Sequence, residues 1–260
     1  MSTGGVFIWK NTKKMRLKFI FYVVLLSPLC FSKLCPAFFP FTGEDAITLG
    51  RGKFQLELQG SYYRYYDKTK HTDQVFQLTY GLLENMDLAL IVPYSSYAYS
   101  GGEKVKGFGD IALFVKHVPV NSQGWRLGYK LQANFDTGKE GIGYGKTTGN
   151  MQLMVEKDME RLTFNMNLVY IKRGHIEELR DAYGAIAGLY YKAYDNLTLG
   201  WELKLLRSEQ KGIKKPDSHV LLGAVYSVGN VGFSFGVHKT LIRHQSFADW
   251  GLLAGLSFVY

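Results

Sequence analysis

Trp250-Gly-Leu-Leu-Ala-Gly-Leu-Ser-Phe-Val-Tyr260 decides how the rest of the chain is read. Taken in steps of two, Trp250, Leu252, Ala254, Leu256, Phe258 and Tyr260 form an apolar row with aromatics at both ends. Period two is the signature of a strand whose alternate side chains face opposite ways. An apolar strand at a sheet edge invites aggregation unless something pairs with it. Pairing with the first strand of a closed barrel removes that edge. Aromatics at both ends of an apolar row also match the two interfacial girdles of a transmembrane barrel.

Working back from this stretch, eleven further segments alternate in the same way. With it they make twelve, at roughly 53–64, 74–81, 85–95, 109–118, 125–136, 149–157, 161–171, 182–192, 197–206, 218–228, 231–239 and 250–260. Most have the length a tilted strand needs to cross a bilayer. Six apolar rows, among them Phe54, Leu56, Leu58 and Tyr62 and also Leu162, Phe164, Met166, Leu168 and Tyr170, carry no charge. The charges fall on the opposite parity, at Lys53, Glu57, Asp87, Asp110, Lys116, Arg126, Lys130, Asp136, Glu156, Glu202 and Lys204. In a soluble barrel the apolar rows would fill the interior, but twelve strands enclose more space than one layer of side chains fills. The expected fold is therefore all-β, a single transmembrane antiparallel β-barrel of about 12 strands. The eleven charged residues are its candidate lumen lining.

The connections alternate as well. Short links at 82–84, 158–160, 194–196 and 229–230 contrast with longer polar ones such as 96–108, 137–148 and 208–217. That pattern predicts short periplasmic turns and longer extracellular loops, with both ends of the barrel on the periplasmic side. The link at 119–124 is longer than its class.

The first forty residues differ from everything after them. Lys10, Lys13, Lys14, Arg16 and Lys18 precede an uncharged apolar run over residues 19–29, and Cys35-Pro-Ala37 offers a cleavage site. This is the layout of a secretory signal peptide. The run is shorter than the roughly 17–25 residues a spanning helix needs. The expected division is a signal peptide over 1–37, with Met15 as an alternative start, a short periplasmic segment over 38–52, and the barrel over 53–260. Without the leader, 31 basic residues against 22 acidic become 25 against 22, and both Cys30 and Cys35 are lost. The mature charge gives no reason to expect nucleic acid as a partner. The composition of 18 Tyr, 17 Phe and 29 Gly against 6 Pro favours strands, tight turns and aromatic belts.

Several pieces also resemble a known family. They are Leu49-Gly-Arg-Gly-Lys-Phe-Gln-Leu-Glu57, Gly81-Leu-Leu-Glu-Asn-Met-Asp-Leu-Ala-Leu-Ile-Val-Pro-Tyr94 and Gly107-Phe-Gly-Asp-Ile-Ala-Leu-Phe-Val-Lys116, followed by Thr148-Gly-Asn150, Lys157-Asp158 and Asp249-Trp-Gly-Leu-Leu-Ala-Gly-Leu-Ser-Phe258. In order and spacing they resemble the outer-membrane transporter barrels named for the MetA-pathway of phenol degradation. The resemblance implies a passive channel, with apolar or aromatic compounds as possible solutes, and supplies no catalytic residues.

No chemistry competes with that reading. His71, His117, His175, His219, His238 and His244 show no metal-ligand spacing, and there is neither a Gly-x-Ser-x-Gly elbow nor a phosphate-binding loop. No cofactor and no enzymatic activity are expected. A lipase on a twelve-stranded barrel would need Ser and His together on the outer wall, which the outer rows lack. The competing reading is a closed structural or surface-binding barrel whose loops do the work. Expected partners are outer-membrane lipid, a small solute, and the barrel assembly machinery, which would read Trp250, Leu256, Phe258 and Tyr260 as its signal. The expected location is the bacterial outer membrane.

Overall fold

A computed structural model describes residues 39–260. The leader expected over 1–37, with both cysteines, lies outside them. The described chain forms thirteen strands: β1 (Phe54–Tyr65), β2 (Lys70–Leu83), β3 (Met86–Ala98), β4 (Lys104–Phe108), β5 (Ala112–Ser122), β6 (Trp125–Asn134), β7 (Thr148–Met159), β8 (Leu162–Lys172), β9 (Ala182–Tyr194), β10 (Leu197–Leu206), β11 (Asp217–Val228), β12 (Val231–Thr240) and β13 (Ala248–Val259). β4 and β5 both pair with β3 and occupy one position in the wall, so the barrel has twelve strand positions. Every pairing is antiparallel, and β13 pairs with β1 to close the ring. The seam extends past the strand ends, since Phe54 N donates to Tyr260 O at 2.8 Å and Tyr260 N to Phe54 O at 2.7 Å.

The division of the fourth wall strand has a local cause. Gly109 N donates to Pro93 O at 2.9 Å where the β3 register slips between Ile91↔Ala112 and Tyr94↔Phe108. Proline has no N–H to return to the ladder, so the slip falls beside it. A second irregularity, between His117 and Val120 on the pairing with β6, brackets Pro119. The link expected at 119–124 is consequently strand down to Ser122, then a two-residue turn at Gln123-Gly124. Both turn residues have positive φ, 52° and 75°, as a tight hairpin of this hand requires.

On the other rim the connections span 66–69, 99–103, 135–147, 173–181, 207–216 and 241–247. Two are shorter than the sequence reading put them, because β2 begins at Lys70 and β4 occupies part of the expected 96–108 loop. The polar residues of those segments extend the strands above the apolar band instead of forming loops.

The apolar rows face outward. Leu58, Phe76, Leu88, Leu131, Phe164, Leu168, Trp201, Leu222, Phe235 and Leu252 are all exposed on the outside of the wall. About eleven residues at roughly 3.3 Å rise and a tilt near 40° span about 28 Å, close to the apolar band of a membrane barrel. Aromatics gather at both edges of this band, with Phe54–Tyr80 rings 4.7 Å apart at one end and Tyr62–Trp250 rings 5.5 Å apart at the other.

The segment expected to lie outside the barrel does not. Residues 39–52 run inside the lumen as an irregular strap that touches most of the wall. Near one mouth, Gly52 N donates to Gly81 O at 2.8 Å, and Cβ on Gly81 would meet Gly50 O at 1.9 Å. At the far end of the strap, Pro40 and Phe41 lie over Gly200, Gly223 and Gly236, which are Cα partners across β10, β11 and β12, and Phe39 lies over Gly255 on β13. A Cβ on Gly200 would come within 2.1 Å of the Phe41 ring, so this part of the wall must be bare for the ring to fit. Phe41 packs there with Tyr190, Leu221, Val225 and Leu253.

Two outcomes test the architecture. With Cys30 and Cys35 changed to Ser, a membrane-impermeant thiol reagent on intact cells should label Lys211→Cys and spare Met166→Cys; strong labelling at 166 would reverse the assignment of faces. Deleting residues 258–260 removes the short-turn end of the seam with β1, and the shortened chain should lose the mobility shift between heated and unheated samples in gels.

Candidate functional site

A strap without secondary structure exposes backbone N–H and C=O groups that the barrel interior must satisfy. The wall answers with carboxylates and amides at inward positions. On β10, Glu202 is fully buried and accepts from Thr42 N at 2.7 Å, Thr42 Oγ1 at 3.0 Å, Gly43 N at 3.1 Å and Tyr190 Oη at 2.7 Å. Four donors use the whole accepting capacity of one carboxylate. Glu156 on β7 takes Ala46 N at 3.3 Å, and Asp87 on β3 takes Leu49 N at 3.2 Å. Asn167 on β8 accepts Glu44 N at 3.0 Å, while the side-chain amides of Asn165 and Asn167 donate to Glu44 O at 2.9 and 3.1 Å.

The strap's own acids meet cations of the wall. Asp45 pairs with Lys116 at 2.8 Å, and Glu44 pairs with Lys130. Burial pushes the Glu44 carboxyl upward, but Lys130 and Lys116 together outweigh it and hold the group below its ordinary value. Glu44 therefore stays ionised at neutral pH. Wall carboxylates thus bind strap N–H groups, and wall lysines bind strap carboxylates.

Around the strap two spaces remain. One of about 240 Å³ lies between the strap and the wall, lined by Glu57, Gln77, Thr79, Phe114, Lys116 and Gln152 among others. The other, of about 460 Å³, lies on the long-loop side and is lined by Tyr63, Tyr65, His71, Lys204, His219 and His238. Thr42 borders both, so the strap is the partition between them. In the upper space Lys204 pairs with Asp217 at 2.7 Å, and the His219 and His238 rings are 4.2 Å apart on neighbouring strands. Among the described residues no group of three or more His, Cys, Asp or Glu side chains is placed to hold a metal ion.

Of the eleven charged residues expected in the lumen, eight are inside: Glu57, Asp87, Lys116, Arg126, Lys130, Glu156, Glu202 and Lys204. Three are elsewhere. Lys53 precedes β1 and is exposed at the mouth, its backbone carbonyl accepting from Gly81 N at 2.9 Å. Asp110 sits in the break between β4 and β5, where it accepts from Gly138 N and Tyr144 N, each at 2.9 Å, and so pins the 135–147 loop. Asp136 is exposed in that same loop, because β6 stops at Asn134. Each of the three has the right parity but lies beyond the end of a strand, where parity no longer fixes a face.

Arg126 bridges Glu156 and Asp158 along the wall, which ties one strap-binding carboxylate to the barrel. Sequence reasoning missed Asn165, Asn167, Gln77 and Gln152. Their inward parity was available, and restricting the search to charged residues passed over them. At the seam, Trp250 stands beside Tyr62, Leu256 and Phe258 are Cα partners of Leu58 and Leu56, and the Tyr260 side chain is exposed.

No family model matches the sequence, and no curated protein matches it. Solved structures do match in fold. An outer membrane channel from Pseudomonas putida F1 superposes with a TM-score of 0.70 and 14% sequence identity, over 85% of this chain and 100% of that one. A NanC porin gives a TM-score of 0.58 at 10% identity, and a KdgM porin 0.56 at 9%; each match covers 78% of this chain and 98% of the porin. At such identities the likeness is one of fold, and the fold is that of outer-membrane β-barrel channels.

Proposed function

We propose that the protein is a channel of the bacterial outer membrane for small solutes, reached through an N-terminal leader and held shut by residues 39–52. The observation that carries this reading is the strap itself. It partitions a lumen that has space on both sides, and it is attached only through side chains and a few backbone contacts, not through a sheet ladder. Solute would pass when the strap releases its hold on Glu202 and withdraws, joining the space beside Glu57, Lys116 and Lys130 to the one on the long-loop side. The lining charges are mixed in sign and mostly paired, which argues against strong ion selectivity. Apolar or aromatic compounds, the class implied by the family resemblance, are the solutes to examine first. The terminal row Trp250, Leu256, Phe258 and Tyr260 serves as the signal for the barrel assembly machinery in this reading. No enzymatic step is assigned to the barrel.

A closed structural barrel is the second reading, favoured by how completely the strap's polar groups are satisfied. Planar-bilayer recordings separate the two. The wild-type protein should show small or infrequent openings, and deleting residues 39–52 should raise the conductance severalfold. With the native cysteines changed to Ser, joining Asp45→Cys to Lys116→Cys by a short bis-thiol reagent should silence the channel until the link is cleaved. Silence in all of these states, with the heat-induced mobility shift intact, would favour the structural barrel.

Glu202→Ala gives a finer test. It leaves two strap N–H groups, the Thr42 hydroxyl and the Tyr190 hydroxyl without their acceptor, at a cost of about 1–3 kcal/mol for each that water cannot reach. The expected result is more frequent opening and faster protease cleavage within 39–52, while the barrel keeps its heat-induced mobility shift.

A further inference from the structure

One lateral row of the wall collects cations on the lipid-facing side. In the strand register Lys104 is the Cα partner of Ala98, Ala98 of Lys70, Lys70 of Arg64, Arg64 of Trp250, and Trp250 of Lys239. These six residues share the outward parity of Phe76, Phe235 and Leu252 on the same strands. Four of the six are basic, all four are exposed, and none is acidic. Five interstrand steps of about 4.8 Å make the row about 24 Å wide, enough for more than one phosphate.

The row sits at one edge of the apolar band. Trp250 belongs to it and packs beside Tyr62, on the rim away from the short turns. Arg243 from the 241–247 loop lies over the Tyr66 ring at 5.1 Å, and Lys106 lies two residues below Lys104 on the same face. Of the row's four cations only Lys239 meets an acid, Asp249. Asp67 accepts from Thr69 N at 2.8 Å within its own turn. Among the described residues Arg64, Lys70 and Lys104 have no ion-pair partner. Elsewhere on the same rim the outward Lys172 is met by Asp181 at 3.2 Å. Lys70 and Arg64 directly opposite each other are a like-charge pair, which destabilises a sheet unless an outside anion intervenes.

Resting on the reading that the barrel spans the outer membrane, we propose that this row seats the phosphate groups of an anionic glycolipid of the outer leaflet. The sugar-phosphate headgroup lies against Lys104, Lys70, Arg64 and Lys239, and its acyl chains run down the apolar face below Trp250 and Tyr62. A soluble phosphate is a poorer fit, because the row opens toward lipid at the membrane edge and not into the lumen. Arginine supplies a forked donor at the centre of the row, and the lysines supply point charges on both flanks.

The test uses the purified full-length protein in detergent and a diphosphorylated glucosamine lipid as probe, with binding read by native mass spectrometry. Wild-type protein should hold the lipid. The triple variant Lys70→Gln, Arg64→Gln, Lys239→Gln should bind it roughly 100-fold more weakly, at about fivefold per charge. A control variant, Lys211→Gln with Lys214→Gln in the 207–216 loop, should bind like wild type. Should the triple variant not fold, Lys70→Gln alone should weaken binding about fivefold. Equal binding of the dephosphorylated lipid, or displacement of the lipid by millimolar inorganic phosphate, would overturn the proposal. So would undiminished binding by a folded triple variant. The heat-induced mobility shift of wild type is recorded alongside: its absence would refute the barrel reading, whereas a shifting barrel that binds no lipid refutes only this site.

Discussion

An irregular peptide inside a barrel cannot leave its N–H groups unpaired, and most of what is particular to this lumen follows from that constraint. Residues 39–52 have no ladder of their own, so their donors must find acceptors on the wall. Glu202, Glu156, Asp87 and Asn167 are those acceptors, and each sits on a different strand. A buried carboxylate is costly when isolated, yet one that is fully hydrogen-bonded is not isolated. Arg126 adds a guanidinium behind Glu156, and Tyr190 adds a hydroxyl to Glu202. The wall charges and the strap are therefore two halves of one arrangement, and neither half makes sense in a dry interior without the other.

The same arrangement explains the uneven character of the inner wall. Where the strap presents backbone, the wall presents carboxylates; where it presents the rings of Phe39 and Phe41, the wall presents glycine. The aligned Gly200, Gly223 and Gly236 would weaken an ordinary sheet, because glycine brings no side chain to pack and loses more entropy on folding. Here Pro40 and the Phe41 ring pack into the space they leave, and Phe41 joins an apolar cluster with Tyr190, Leu221, Val225 and Leu253. Strand interiors in a closed barrel have all their ladder bonds, so the wall tolerates the bare stretch.

How much of this was legible in the sequence divides along the same line. The outer surface was, because period two against lipid constrains every alternate residue from Phe54 to Phe258, and the twelve wall positions follow from it. The broken fourth strand was not, since its cause is the position of Pro93 opposite Gly109, a cross-strand fact. The strap was the larger omission. Residues 39–52 carry no repeat, and the bond from Thr42 to Glu202 joins positions 160 residues apart. Inward parity marked Glu202 as lumenal but could not say what it binds. Glu44 and Asp45, the two acids that reach back to the wall lysines, were assigned to the periplasm for want of any local signal.

The strap and the wall also differ in how they are held, which bears on what can move. Every wall strand but the short β4 is fixed by two ladders, and β13 closes on β1. The strap is fixed by separate side-chain contacts spread around the ring, so its local stability can lie well below that of the barrel. Water entering beside a displaced strap would rehydrate Glu202, Lys116 and Lys130, so the penalty for breaking those pairs is smaller than in a sealed core. The apolar seat of Phe41 has no such compensation, because moving the ring into water exposes it and its glycine bed together. The polar contacts thus fix where the strap lies, and the aromatic anchor resists its release, so a shift of residues 42–49 with Phe41 still seated is the displacement this lumen opposes least.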